Sequence, residues 1–375
     1  MQKSCMKNKK NTAVRAFSAV ICTLTVMLTA LVLCFYILVV CGASAKLQNI
    51  WVCSAMRTFS HKYLATMFIP EETINRIIAE NTVDDSAHDS IILSFHREET
   101  ETVETKPAET DTGRTETKPA ETKAPEPPQP TYEDEGYSLL EEGLYLKEVS
   151  GSGWRGYVML IEDPMRVKLV DTSKQYSCGE NVMTMTKNSG AVAGINGGGF
   201  QDGANYDSNG GMPAGLLIEN SELVYPYVAN NTDVYNMIGI NADGALVLRH
   251  CTAEWALTNN IVSCVSFAPF LVVNGEGMIK NGTGGWGIAP RTAIGQRETG
   301  EFLFLVIDGR QVDWSIGCDL DVLQEVMLAE GAINAAMLDG GSSTAMVYNE
   351  TYINKPCLGH ERWINNAFVV MPGKK

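Results

Sequence analysis

The chain has 375 residues, a formal net charge of −15 and ten cysteines. Its length admits more than one folded unit with a core of ordinary size. The acidic balance, with no basic stripe beyond the first fifteen residues, excludes a nucleic-acid binder. No Cys-x-x-Cys or Cys/His pair has the spacing of a zinc site.

Residues 1–16 form a basic tail carrying Lys3, Lys7, Lys9, Lys10 and Arg15 with no acid. The uncharged apolar run that follows is long enough to cross a bilayer, and residues 17–41 are expected as a single transmembrane helix. The basic flank predicts a cytoplasmic N-terminus and an extracellular remainder. Ala43-Ser44-Ala45 resembles a cleavage site, but the apolar run is long for a signal peptide, so an uncleaved anchor is expected.

Residues 42–97 read as a membrane-proximal helical stalk. Trp51, Met56, Tyr63 and Leu64 give it apolar character, and a helix is predicted from Pro70, with Glu71 and Glu72 in its first turn and Ile74, Ile77 and Ile78 on one face. Residues 98–131 differ in kind. They are rich in Glu, Thr, Lys and Pro and repeat Glu-Thr-Lys-Pro-Ala-Glu-Thr from Glu104 and again from Glu116. Such a composition buries too little apolar surface to offset ordering entropy, which predicts an extended spacer that lifts a domain off the membrane.

Residues 132–375 are expected to form that domain, an α+β unit built on a large mixed β-sheet with a few packed helices. Strands are predicted at 157–161, 166–170, 191–195, 215–218, 245–248, 270–273, 302–307, 335–338, 345–348 and 367–371. A helix should start at the cap Asp319 and stop at Gly331. Cys251 and Cys264 are the cysteines closest in sequence here and the candidate disulfide pair; free buried thiols are the other reading.

Three predicted strands end alike. One runs into Asn196-Gly197-Gly198-Gly199-Phe200, one into Asp308-Gly309-Arg310, and one into Asp339-Gly340-Gly341-Ser342-Ser343. If these strands are neighbours, their loops converge on one cleft, where successive glycine amides form a nest for phosphate or another anion. A fourth stretch, 284–295, sets Arg291 and Thr292 among small and apolar residues. Its guanidinium suits a phosphate or carboxylate ligand; a structural salt bridge to Asp308 or Asp339 is the alternative. Asp202, Asn205, Asp207 and Asn209 offer oxygen ligands of the kind calcium takes, without a twelve-residue ligand scheme, so a solvated polar loop is the simpler reading and the metal is left open.

As a set, Ile195-Asn196-Gly197-Gly198, Pro290-Arg291-Thr292-Ala293-Ile294-Gly295, Val306-Ile307-Asp308-Gly309-Arg310, Leu338-Asp339-Gly340-Gly341-Ser342-Ser343 and the closing Arg362 before Asn365 resemble the phosphodiester glycosidase family. The resemblance covers most of the C-terminal region, in order, and nothing before Tyr132. Gly199 stands where the family often has an aromatic residue, and Ser342-Ser343-Thr344 replaces the commoner Gly-Ser-Ala.

The resemblance implies hydrolysis of a sugar-1-phosphodiester on an extracellular or cell-envelope glycan, by attack at the anomeric carbon with phosphate leaving. Asp339, Asp308 and Arg291 are then the expected catalytic residues. Asn196, Gly197, Gly198, Thr292, Arg310, Gly340, Gly341, Ser342, Ser343 and Arg362 are the expected substrate-binding residues. No cofactor is expected, and a divalent cation such as calcium stays open. A departing phosphate has a second pKa near 6, so a strong general acid is less necessary than in an ordinary glycosidase. A Ser/His/Asp triad is disfavoured, since His250 and His360 lie outside the motifs. Two rivals remain: a non-catalytic glycan-binding module, with Trp286, Trp314 and Phe200 as sugar platforms, and a phosphodiesterase that cleaves the phosphorus–oxygen bond.

Overall fold

The computed structural model describes residues 2–57, 61–85, 88–90, 131–202, 208–227, 232–280 and 282–373, with side chains from residue 15 onward. The Glu/Thr/Lys/Pro spacer lies outside the described residues, and so does the expectation that it lifts a domain off the membrane.

The most apolar run in the domain, Phe302–Ile307, is a strand with all six residues buried. Alternation sends Phe302, Phe304 and Val306 into one core and Leu303, Leu305 and Ile307 into another. Such a strand needs cover on both faces. It sits inside an eight-stranded sheet ordered Ser138–Glu141, Leu144–Gly151, Trp154–Ile161, Phe302–Ile307, Arg291–Arg297, Ala332–Met337, Phe270–Val273, Glu276–Gly277.

One face is covered by the helix Leu320–Ala329 through Leu320, Leu323 and Met327. As the sequence predicts, Asp319 caps this helix by accepting from the Val322 amide at 3.1 Å, and Gly331 follows it with φ +83°. The other face meets two five-stranded sheets. One is ordered Glu222–Tyr225, Leu217–Glu219, Ile261–Ser266, Tyr235–Asn241, Leu246–Cys251; the other Thr351–Tyr352, Met346–Tyr348, Ala193–Asn196, Asn366–Val370, Val167–Asp171. Ile195, Ile238, Leu248 and Phe368 join Phe304 in that shared core.

The fold is thus α+β. Its strands divide among three sheets whose described pairs are all antiparallel, the pairing that short connections permit. Cys251 and Cys264 are both free thiols rather than a pair, with Cys251 Sγ 3.7 Å from Met237 Sδ.

The N-terminal helix Gln2–Phe35 continues through Tyr36–Val40, and residues Arg15–Val40 are long and apolar enough to cross a membrane. After a turn, Ser44 caps the helix Ala45–Met56, and the helix Glu71–Asn81 starts behind Pro70 as predicted. Val52, Cys53, Ala65, Ile69, Ile74 and Ile77 form one buried cluster.

This helical unit packs directly on the domain. Asn81 Oδ1 accepts from the Thr283 amide at 3.4 Å, Asp85 from the Phe270 amide at 2.8 Å, and Ser90 exchanges bonds with the Leu248 backbone. Asp85 also pairs with His250 at 3.3 Å. A glycine-rich loop makes the contact possible: a Cβ at Gly287 would lie 2.4 Å from the Ser54 amide nitrogen, and one at Gly282 2.3 Å from Asn81 Oδ1.

Candidate active site

The sheet order brings the expected loops together. Arg291 lies opposite Ile307, and Ala293 opposite Met337, so the ends of Phe302–Ile307 and Ala332–Met337 flank the start of Arg291–Arg297. Asn196, from another sheet, ties the set. Its Nδ2 donates to the Asp339 carbonyl at 2.6 Å, and its Oδ1 accepts from Thr292 Oγ1 at 2.7 Å and from the Ala345 amide at 3.2 Å. Asn196 and Thr292 are fully buried. They hold the backbone of the Asp339 loop and do not reach solvent, which corrects the expectation that they bind substrate.

The loops open onto a pocket of ≈ 540 Å³. Asp339, Gly340, Gly341, Ser342, Ser343, Arg310 and Arg362 line it, together with Gly199, Phe200, Asp202, Phe267 and Trp286. Arg57 and Lys62 of the stalk contribute a further wall. A pocket of this size suits a sugar with its phosphate.

Asp339 is the carboxyl at its base. Burial pushes its pKa up to about 6, against the lowering effect of bonds from Ser343 and the Gly340 amide and of the nearby Arg362 charge. The Gly340 bond to Oδ1 is 2.9 Å. Gly341 has φ +62°, and a Cβ there would come 3.1 Å from the Arg310 guanidinium, so the second glycine lets that arginine lie against the loop. Arg362 pairs with Asp202 and lies 4.7 Å over the Phe200 ring. Asp202 and Phe200 thus enter the site as the anchors of Arg362.

Asp308 does not line the pocket, which corrects its expected placement. Its carboxylate is buried and accepts from Trp314 Nε1 at 2.8 Å, Asn354 Nδ2 at 2.9 Å and the Lys355 amide at 3.0 and 3.2 Å. Burial raises its pKa, with these donors opposing. Trp314 belongs to this cluster, with Lys355 Nζ 3.7 Å from its ring centre, and is not a sugar platform in the pocket.

Arg291 borders the pocket, but its fork faces inward. Nε donates to Cys318 O at 3.3 Å, and Nη2 donates to the carbonyls of Trp286 and Gly287. Burial lowers its pKa to about 10. Its partners are these carbonyls and, at 4.0 Å, Met337 Sδ, not Asp308 or Asp339, so it clamps the loop that presents Trp286.

The amides of Gly197 and Gly198 donate to Asn366 O at 3.0 Å and Asn366 Oδ1 at 2.8 Å, and that of Gly199 to Ser266 O at 3.3 Å. They are therefore not an anion nest. A Cβ at Gly197 would lie 2.1 Å from Asn366 Oδ1 and one at Gly198 2.6 Å from Val265 Cβ, so close packing accounts for both glycines. Asn366 was legible as a polar residue opening an apolar strand, though its partner is far away in sequence.

Asp202 is engaged by Arg362, and Asn209 bonds the Ser177 carbonyl and the Gly211 amide. The other two proposed calcium ligands, at 205 and 207, lie outside the described residues. Among the described residues, no group of three His, Cys, Asp or Glu side chains is placed to hold a metal. His360 is exposed and does not line the pocket.

The family model described as Phosphodiester glycosidase matches residues 189–371. The chain is 30% identical over 135 residues to the N-acetylglucosamine-1-phosphodiester alpha-N-acetylglucosaminidase of Bos taurus, covering 32% of this chain and 25% of that protein. Against the Homo sapiens protein of the same name it is 28% identical over 174 residues, covering 42% and 33%. It is also 28% identical over 198 residues to the SPbeta prophage-derived uncharacterized protein YomE of Bacillus subtilis, covering 51% and 29%. The chain spans between a quarter and a third of the length of these relatives. The solved catalytic domain of the zebrafish N-acetylglucosamine-1-phosphodiester alpha-N-acetylglucosaminidase, auto-inhibited by pro-peptide, shares the fold. Its TM-score is 0.50 at 23% identity, covering 61% of this chain and 82% of that one.

Proposed function

We propose, from the match of residues 189–371 to the phosphodiester glycosidase family model, that this chain hydrolyses a sugar-1-phosphodiester by attack at the anomeric carbon. The observation that carries this reading is the placement of Asp339, with its raised pKa, in one pocket with Arg310, Arg362 and the Ser342-Ser343 turn. The two arginines hold the phosphodiester. Asp339, ionised at neutral pH, stabilises the positive charge developing at the anomeric carbon and takes the proton of the attacking water. A pKa close to the working pH suits that base. The bond between the anomeric carbon and the bridging oxygen breaks, its electron pair leaves with the phosphate, and the water oxygen stays on the sugar. Trp286 and Phe200 supply apolar faces for the sugar ring.

The apolar helix anchors the chain in the cell membrane with its basic tail in the cytoplasm, which puts the pocket outside, facing envelope glycans. The test is incubation of the full chain, in detergent, with sugar-1-phosphate esters of glucose, galactose and N-acetylglucosamine in isotopically labelled water. Free sugar carrying the label is expected. Label in the phosphate instead means phosphorus–oxygen cleavage, and no release from any ester leaves a glycan-binding module.

A further inference from the structure

The active-site pocket is completed by the segment that leaves the apolar helix. Ser54, Met56, Arg57, Lys62 and Ile78 line it opposite Asp339 and Arg310. Arg57 is seated there: Nε donates to Gly285 O at 3.2 Å, and its guanidinium lies 4.4 Å over the Trp286 ring. Ser54 Oγ accepts from the Ile288 amide at 3.0 Å. The same helix, Ala45–Met56, also folds back on the apolar one. Trp51 packs edge-on against Phe35 at 4.7 Å, and Gln48 Nε2 donates to Val39 O at 2.8 Å. Ser54 is less than one helical turn from Trp51, so the pocket wall stands beside the last turns of the apolar helix.

This unit exposes several apolar side chains among charged ones such as Lys46, Lys62, Glu71 and Arg76. Leu47, Tyr63, Met67 and Phe68 are 44, 51, 68 and 47% exposed, in the same unit whose Trp51 and Gln48 contact Phe35 and Val39 of the apolar helix. Exposed aromatic and aliphatic residues beside a spanning helix are the composition of a membrane-interface contact.

On the reading that the pocket cleaves sugar-1-phosphodiesters, we infer that its substrate is borne by a lipid: a sugar joined through phosphate to a long-chain alcohol embedded in the same bilayer. Leu47, Tyr63, Met67 and Phe68 rest on the bilayer surface, and the pocket opens at headgroup level. Arg57 and Lys62 add positive charge on the side facing the membrane, where the phosphate of such a lipid lies. Hydrolysis frees the sugar and leaves the phosphomonoester in the membrane.

The test uses the full chain in lipid nanodiscs with two esters of each sugar-1-phosphate, hexadecyl in the discs and methyl in solution. The inference expects the hexadecyl ester to be hydrolysed at least ~10-fold faster at equal total concentration, because both partners share one surface. It also expects Met67→Glu with Phe68→Glu to lower the ratio of hexadecyl to methyl hydrolysis by about as much. Equal rates on the two esters, or a ratio unmoved by the double substitution, overturn the lipid inference and leave the glycosidase reading standing. So does methyl-ester hydrolysis that rises when Arg57→Ala loosens the helical wall while the hexadecyl ester is untouched, since the wall is then a plug. Release of sugar from neither ester overturns both.

Discussion

Two strand ends in this molecule carry the same local signature and have opposite fates. Phe302–Ile307 runs into Asp308-Gly309, and Ala332–Met337 runs through Leu338 into Asp339-Gly340. Both carboxyls are pushed up in pKa by burial. At Asp308 the chain supplies an indole, an amide side chain and a backbone amide, and the carboxylate becomes the hub of a closed turn. At Asp339 the next residues are Gly340, Gly341 and two serines, which wrap one side and leave the other on the pocket. A carboxylate at the end of a buried strand is therefore ambiguous until its donors are counted. The closed one stabilises the loop; the open one is available for chemistry.

The largest test of that contrast is Asp339→Asn. Turnover of the sugar-phosphate ester should fall roughly 10³-fold, the scale of a lost general base. The fold should survive. In the native state this carboxyl titrates at about 6, above its ordinary 3.8, so its contribution to stability is greatest in acid and is lost as pH rises from 4 through 6. At pH 7 the asparagine variant should then melt no lower than the parent, with a gain of up to about 3 kcal/mol if the whole shift is recovered. The same titration predicts that kcat/KM falls tenfold per pH unit below 6. A pH profile flat from 5 to 7, or near-normal turnover in the variant, removes Asp339 from the mechanism.

Asp308→Ala inverts the pattern. It removes the shared acceptor of the half-buried Trp314 N–H and the Lys355 N–H and leaves Asn354 Nδ2 with only the Thr344 carbonyl at 3.4 Å, at a cost of about 1–3 kcal/mol readable as a lower urea midpoint. Below that midpoint the folded fraction should keep turnover within about tenfold of the parent, an allowance for loop looseness in a residue that does not touch the pocket. A loss as deep as that of Asp339→Asn in still-folded protein would return Asp308 to the reacting atoms.

The features legible in the sequence are those set by neighbours along the chain. The apolar span, the Asp319 cap, the Pro70 helix start and the all-apolar strand 302–307 are local patterns, and each stands in the structure as read. Convergence of the strand ends was legible only as a condition, which adjacent registers in one sheet meet. What could not be read were the long-range donors and acceptors. Asn366 lies more than 160 residues from the Gly198 amide that it accepts, and Asn354 is 46 residues from Asp308. Glycines that look like a phosphate nest are consumed by such partners. The glycine-rich loop before Arg291 likewise made sense only with the stalk helix against it, since Gly287 faces Ser54 and the Ile288 amide donates to the Ser54 hydroxyl across 234 positions of sequence.

The smallest effect asked of the comparison lies between the two carboxyls, at Thr292. This residue pairs with Val306 of the strand that ends in Asp308, and its hydroxyl donates to Asn196, which in turn holds the Asp339 carbonyl. Thr292→Val keeps the shape and removes the donor, leaving Asn196 Oδ1 with the Ala345 amide at 3.2 Å. The cost should be about 1–2 kcal/mol, since one buried bond is lost and its acceptor is not orphaned. If Asn196 acts only through the Asp339 loop, kcat should drop by a few-fold with KM little changed, because the misplaced group is the reacting one and not the phosphate cradle. A rise in KM alone would instead put Thr292 in contact with substrate, where the sequence first suggested it.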